Sequence, residues 1–544
     1  MKNRKEKNKN DKREQLRSRL ILRIPGLFED IKKSIEQIYA LINTYIARKD
    51  YQVIKSGLNA LYSVVSQYIE VRQGTFFPSI PFFPATSQTV DPSHDDFLND
   101  VLEKLAALQR VASKNKDLEL SKEIIECFSK IAIRCTEIRY RTNTMREYTH
   151  CMVAVQYMQD SIEDSLNADL LDIGIYGSQN QKNIGLRLIS NNATTDIRMI
   201  IDNLFKIAMY GIAKPKVAYL ISYPLQAYSI FLRAFVFNRN AYDKYLPQYI
   251  FKKVQSIVDM YIKFKDLGSS HLSVDLQYSL GAFVDLSNPI AMPYIFNEAY
   301  TKITDKRTKR EDKDSLIRKI LDLSHEIWHF YDELSKSAAE KESFLIHFID
   351  SNLHHISMVL LNLYQSNGLE DHQKEKILEN IDWIISDYWR IYDYHKKISQ
   401  NYEMQILENL LQIGYEFHKL SLIEQLEDVI KIIVSIAESF WEKQENSYGG
   451  DPIYIVERAA YLCILADSDV IKSNFVDMLK VRFWKNYLEK YPRQKNLLFK
   501  DLSEIDPSRL RVDRTDFFED NLLSQLDKKN IDAFVCYLRK QLKK

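Results

Sequence analysis

Residues 50–72 read DYQVIKSGLNALYSVVSQYIEVR, and within them Ile54, Leu58, Leu61, Tyr62, Val65 and Tyr68 recur at three- and four-residue steps. An α-helix turns about 100° per residue, so these side chains share one face, and the alternation of a strand does not fit them. A second strong run precedes it at 29–48. About three more helices fit between Asp95 and Leu166, a stretch without proline or glycine. Further along, long helices fit at 314–336, 343–366, 370–397, 401–418 and 421–445. Glycine and proline number only 13 each in 544 residues. Because these two residues punctuate turns and strands, their scarcity favours long helices joined by short connections. The sequence therefore predicts an all-α protein, either an irregular helical array or an α-solenoid-like multi-helix chain. No fixed repeat period supports a regular solenoid over an irregular array.

The interruptions suggest an organisation. Residues 1–16 are polar, basic and low in complexity, and are expected to form a disordered tail. A first helical lobe spans 17–170 and holds a proline-rich loop at 73–94, whose TFFPSIPFFP core has the aromatic content of a packed or partner-binding loop. Three glycines in DLLDIGIYGSQNQKNIG, 169–185, predict a loop between lobes. A middle region covers 186–303, the nearly all-charged run 304–315 reads as an exposed linker, and 316–544 forms a C-terminal array.

Composition narrows the function classes. Lys plus Arg number 75 against 74 Asp plus Glu, a net charge of +1. Counterion release favours a domain-wide basic excess in proteins that coat nucleic acid, and this chain lacks one. Ten Lys or Arg do fall within residues 1–23, which could contact nucleic acid or an acidic surface. The cysteines Cys127, Cys135, Cys151, Cys463 and Cys536 are odd in number and contain no C-x-x-C pair, so they read as small core residues in a reducing cytosol. The apolar stretch Val217 to Leu232 is short for a span and contains Pro224, so it is expected to be buried rather than a transmembrane segment.

One motif carries chemistry. Residues 325–329 read His325-Glu326-Ile327-Trp328-His329. This resembles the H-E-x-x-H of zincin metallopeptidases, over these five residues alone. The resemblance implies that His325 and His329 grip Zn²⁺ one helical turn apart, with Glu326 as general base. A third ligand would come from the next helix, where Asp350 lies level with His329 if the two helices form a hairpin. His347 and His354 share the face of Asp350.

A wheel of the first helix opposes that reading. Ile317, Ile320, Leu321, Ile327, Trp328, Tyr331 and Leu334 make an apolar arc. Both histidines fall in the opposite arc, among Arg318, Asp322, Asp332, Glu333 and Lys336. The expectation is thus a non-enzymatic, cytoplasmic helical scaffold or adaptor that binds other proteins and needs no cofactor. The alternatives are a zinc-dependent metallohydrolase and a nucleic-acid-associated helical protein using the basic tail.

Overall fold

The computed structural model describes residues 27–73, 95–136, 140–141, 146–147, 149–193, 195–214, 219–241, 243, 245–265, 292–337, 343–366, 369–398, 403–442, 452–490, 492–504 and 525–542. The basic tail and most of the proline-rich loop lie outside them. The described residues divide between Ile250 and Phe251 into two compact units.

The first unit holds α1 (Leu27–Ile46), α2 (Tyr51–Gln73), α3 (Asp95–Lys114), α4 (Leu118–Cys135), α5 (Thr149–Asn167), α6 (Asp172–Ser190), α7 (Ile197–Ala213) and α8 (Ser222–Phe237). Between α4 and α5, β1 (Tyr140–Arg141) pairs antiparallel with β2 (Arg146–Glu147). Helix α9 (Tyr245–Lys265) crosses the division. The second unit continues with α10 (Met292–Thr304), α11 (Arg310–Ser337), α12 (Ser343–Gln365), α13 (Asp371–Ile398), α14 (Glu403–Lys419), α15 (Ile423–Glu442), α16 (Pro452–Ala466) and α17 (Asp469–Lys480). It ends with α18 (Arg482–Lys490), α19 (Pro492–Glu504) and α20 (Lys528–Gln541). The protein is all-α, as its periodicity predicts.

One packing rule builds both units. Each helix from α1 to α6 lies against the next but one, and so does each helix from α10 to α15. Consecutive helices also touch, without a break from α10 to α17. Contacts confined to near neighbours in sequence are the mark of a helical array. The rule ends at the C-terminus, where α19 and α20 fold back onto α16.

A helix in such an array must bury two faces. Helix α4 shows how: Leu120, Ile124, Ile125, Phe128, Ile131, Ala132 and Cys135 are all buried, against α2, α3, α5 and α6. Each buried aliphatic or aromatic side chain of this kind contributes about 2 kcal/mol. The start of α4 is fixed by Asp117, whose carboxylate accepts from the Leu120 N–H at 3.1 Å.

Five of the described joints turn without glycine. Lys49, Lys116, Asp169, Asn192 and Ser421 take positive φ values of 55°, 53°, 64°, 67° and 57° just past the ends of α1, α3, α5, α6 and α14. After each, the following N–H reaches back to a carbonyl five residues earlier, as from Asp117 to Ala112 at 2.9 Å. This closes each helix with a Schellman bond. Glycine is used inside helices instead. The segment 169–185, expected as a loop, is helical from Asp172 onward, and its three glycines sit on buried helix faces. A Cβ on Gly177 would stand 2.5 Å from Ile162 Cδ1, and one on Gly185 2.5 Å from Phe231 Cζ. Polar side chains of the same tract are helical as well: the Ser178 hydroxyl donates to the Gly174 carbonyl and the Gln181 amide to Gln159 Oε1. The charged run 304–315 is likewise shorter as a joint than expected, because α11 begins at Arg310.

Four cysteines are core residues, as expected, but Cys536 is exposed on α20. The stretch Tyr219–Phe237 is long and apolar enough to cross a membrane, and 61% of it is buried within the protein. Leu225, Tyr228, Phe231, Leu232 and Phe235 are among its buried side chains, in α8, which packs on α6 and α7.

These placements predict opposite responses at two kinds of site. Lys116→Gly should raise stability by about 0.5–1 kcal/mol by relieving the left-handed backbone. Gly185→Ala should lower it by about 2 kcal/mol, because the stiff Phe231 ring cannot give way. Gly177→Ala should cost a similar amount, since both Ile162 Cδ1 at 2.5 Å and Cγ1 at 2.9 Å would have to shift. Urea unfolding midpoints of the three variants check these directions.

Candidate functional site

Helix α11 carries the motif. Its buried side chains include Leu316, Ile317, Lys319, Ile320, Leu321, Leu323, Ser324, Ile327, Phe330, Tyr331 and Asp332. At 100° per residue they cover about 220° of the helix circumference, far wider than one amphipathic stripe. The extra width has visible causes. Helices α10, α12 and α13 all pack on α11, and Phe251 of α9 stacks on Phe330 with ring centroids 5.2 Å apart. Ser324 donates to Asn380 Oδ1 of α13 at 2.8 Å, satisfying both groups inside the interface.

This breadth changes the setting of His325. Its ring lies 4.6 Å from that of Trp383 on α13 and 5.9 Å from Trp328 on its own helix. The two tryptophans stack at 5.4 Å. His325 is half-buried at the edge of the core rather than solvated, and its Nδ1 is buried without a hydrogen-bond partner among the described residues. His329 is exposed, as the wheel predicts, and its ring stacks on Trp328 at 6.1 Å.

Glu326 lies between the two histidines and is half-buried. Burial raises its carboxyl pKa, His325 and His329 pull it back down, Asp322 adds to the rise and Lys252 opposes it. Buried Lys319 behaves in the mirror sense: burial, aided by Arg318, pushes its ammonium down to about 8.

The side chains of Asp350 and His347 lie outside the described residues, although both belong to α12. His354, which shares the face of Asp350 in the sequence reading, hydrogen-bonds with Gln412 of α14. The structure brings His329 together with a different pair. One donor atom each from His329, Asp332 and Glu333 lie within 4.8 Å of one another. Asp332 is buried, while His329 and Glu333 are exposed. The H-x-x-D-E spacing places all three on one helix face, and that spacing was the available sequence signal.

A concavity of about 180 Å³ opens between α14, α16 and the start of α20. Tyr415, His418, Lys419 and Asp527 are among its lining residues. Two of these have structural roles: Lys419 pairs with Glu416 at 2.8 Å, and Asp527 caps α20 by accepting from the Lys529 N–H.

No protein-family model and no curated protein matches the chain. Among solved structures, it is similar to a circular tandem repeat protein with novel repeat topology, at 12% identity and a TM-score of 0.35, covering 86% of this chain and 99% of that one. It is also similar to a structure described as Uso1-2, at 13% identity and a TM-score of 0.21, covering 96% and 95% of the two chains. A structure titled for the interaction between cadherin and beta-catenin matches at 10% identity and a TM-score of 0.19, over 93% of this chain and all of that one.

His354 supplies a pH test of the second unit. Burial lowers its imidazole pKa to about 4, with neighbouring His355 acting in the same direction. An unfolded histidine titrates near 6.5, so below that pH the unfolded chain takes up the proton first. Stability from this group is complete above about pH 6.5 and falls away as the pH drops to about 4, by up to about 3 kcal/mol. His354→Gln should flatten the dependence of the urea midpoint over that window. A slope identical to that of the parent would show that His354 is not its source.

Proposed function

We propose that the chain is a non-enzymatic helical scaffold that binds other proteins in the cytosol. The observation that carries this reading is the next-but-one packing rule. A helix added to such an array extends the layers already present instead of closing a core, so the surface lined by successive helices lengthens with every step. Extended faces of this kind suit partners that make many shallow contacts. Large side chains to anchor them stand exposed in each unit: Tyr245 at 55%, Val470 at 61% and Val481 at 50%. Tyrosine in particular supplies amphipathic contact area at small entropic cost. The near-equal numbers of acidic and basic residues also suit protein partners better than a polyanion.

The test begins with native purification from the source cells after nuclease treatment, with cross-linking and mass spectrometry to define any partner and the surface it occupies. Val470→Glu and Val481→Glu alter exposed positions, so the circular dichroism melt should not change. A stoichiometric partner in contact with the C-terminal helices should be lost at least about tenfold in the double variant, the scale of one interface hot spot. A chain that purifies alone overturns the reading. Retention that disappears in high salt and on deletion of residues 1–23 would replace it with nucleic-acid association.

A further inference from the structure

We propose that His329, Asp332 and Glu333 form a binding site for a divalent transition-metal ion such as Zn²⁺ on the surface of α11. The proposal is independent of the scaffold reading. Its basis is the meeting of three donor atoms of two chemical kinds, one imidazole nitrogen and two carboxylate oxygens, all within 4.8 Å of one another. Bonds of about 2.0–2.2 Å to such ligands set donor separations of about 3.4 Å in a tetrahedral site, so the donors need to draw in by roughly 1 Å. Rotation of the exposed Glu333 side chain would supply most of that movement.

Two further features prepare the site. The His329 ring is stacked on Trp328, with 28° between the planes, and this restricts its rotation. Asp332 is 7% exposed, so its carboxylate is held by the surrounding core rather than sweeping through solvent. Preorganised ligands lose less freedom when they close on an ion. Basic side chains would oppose capture: Lys336 lies on the same arc, three residues after Glu333 and so within one helical turn, and Arg318 lies further off. Arg318 stands eleven residues before His329, a helical rise of about 16 Å.

The donor set also selects the ion. An imidazole ligand favours first-row transition metals over Mg²⁺ and Ca²⁺, which prefer oxygen throughout. Two carboxylates with a neutral imidazole match a 2+ charge. Three ligands from one helix face occupy one side of the ion, leaving its remaining positions open to water or to a side chain from a bound protein.

The site differs from the H-E-x-x-H arrangement in the role it gives His325, whose ring is packed against Trp383, one turn before His329. Cobalt titration tests the difference directly, because bound Co²⁺ has a d–d absorption. The full chain should be purified without an affinity metal and stripped with a chelator. One equivalent of Co²⁺ per chain is expected, displaced by Zn²⁺ and not by Mg²⁺ or Ca²⁺. His329→Ala and Glu333→Gln change exposed positions and should each weaken binding by at least about tenfold. His325→Ala should leave the titration unchanged. Absence of the absorption at one equivalent, or its survival in both His329→Ala and Glu333→Gln, overturns the proposal. Loss in His325→Ala with retention in Glu333→Gln also overturns it, and moves the ion to the H-E-x-x-H pair.

Discussion

Every helix between the ends of each unit has to satisfy neighbours on both sides along the array, and much of the structure follows from that demand. A helix in a simple hairpin hides one stripe and wets the rest. Here α11 buries residues from Lys319 round through Asp332, and α4 buries Leu120, Ile124, Ile125 and Phe128 against four partners. Such wide arcs leave little room for polar side chains, so those caught inside must find partners within the interface. Gln109 does so among Ser121 and Ser165, with its amide nitrogen 3.0 and 2.6 Å from their hydroxyls. These contacts tie α3 to α4 and α5 at one relative position. A shift of one residue would break them and leave buried polar groups unpaired.

The same demand explains where the sequence could be read and where it misled. Helix existence was legible from period alone, because runs such as Ile54, Leu58, Leu61 and Val65 repeat with the helix and not with a strand. Segment 169–185 was misread because glycine serves two purposes. It opens turns by adopting positive φ, and it lets helices approach closely by having no side chain. In α6 the second use prevails: Gly174, Gly177, Gln181, Ile184 and Leu188 continue one buried helical face. Counting glycine and glutamine as permissible interior residues restores an unbroken period there. At joints such as those after Lys49, Lys116, Asp169 and Asn192, other residues take the left-handed backbone and give no glycine signal.

For the candidate site, the local part was legible and the distant part was not. A wheel drawn for one helix assigns each residue to a core side or a water side, and it placed His329 correctly. It failed for His325 because it assumes a single packing partner, whereas the Trp383 ring comes from α13, the next helix but one. Contacts of that range leave no mark in the spacing of α11 itself. The meeting of His329, Asp332 and Glu333 needs no other helix, since steps of three and four residues alone bring the side chains together. Single-helix geometry is therefore the kind of site that sequence can reveal in an array, and cross-helix geometry the kind it conceals.

Position in the array also bounds what an event on α11 can affect. Stability in such a chain is close to a sum of each element's own free energy and its contacts with near neighbours. Helix α11 touches α10, α12 and α13, whereas the terminal cap of α16, α19 and α20 is built on other contacts. Trp328 links the exposed face to this interior, stacked on His329 at one edge and on Trp383 at the other. Tightening the last turns of α11 would be felt first by α13 through that stack, and would fade with each further helix. A ligand on this face would adjust one segment of the surface while leaving the C-terminal segment free to act independently.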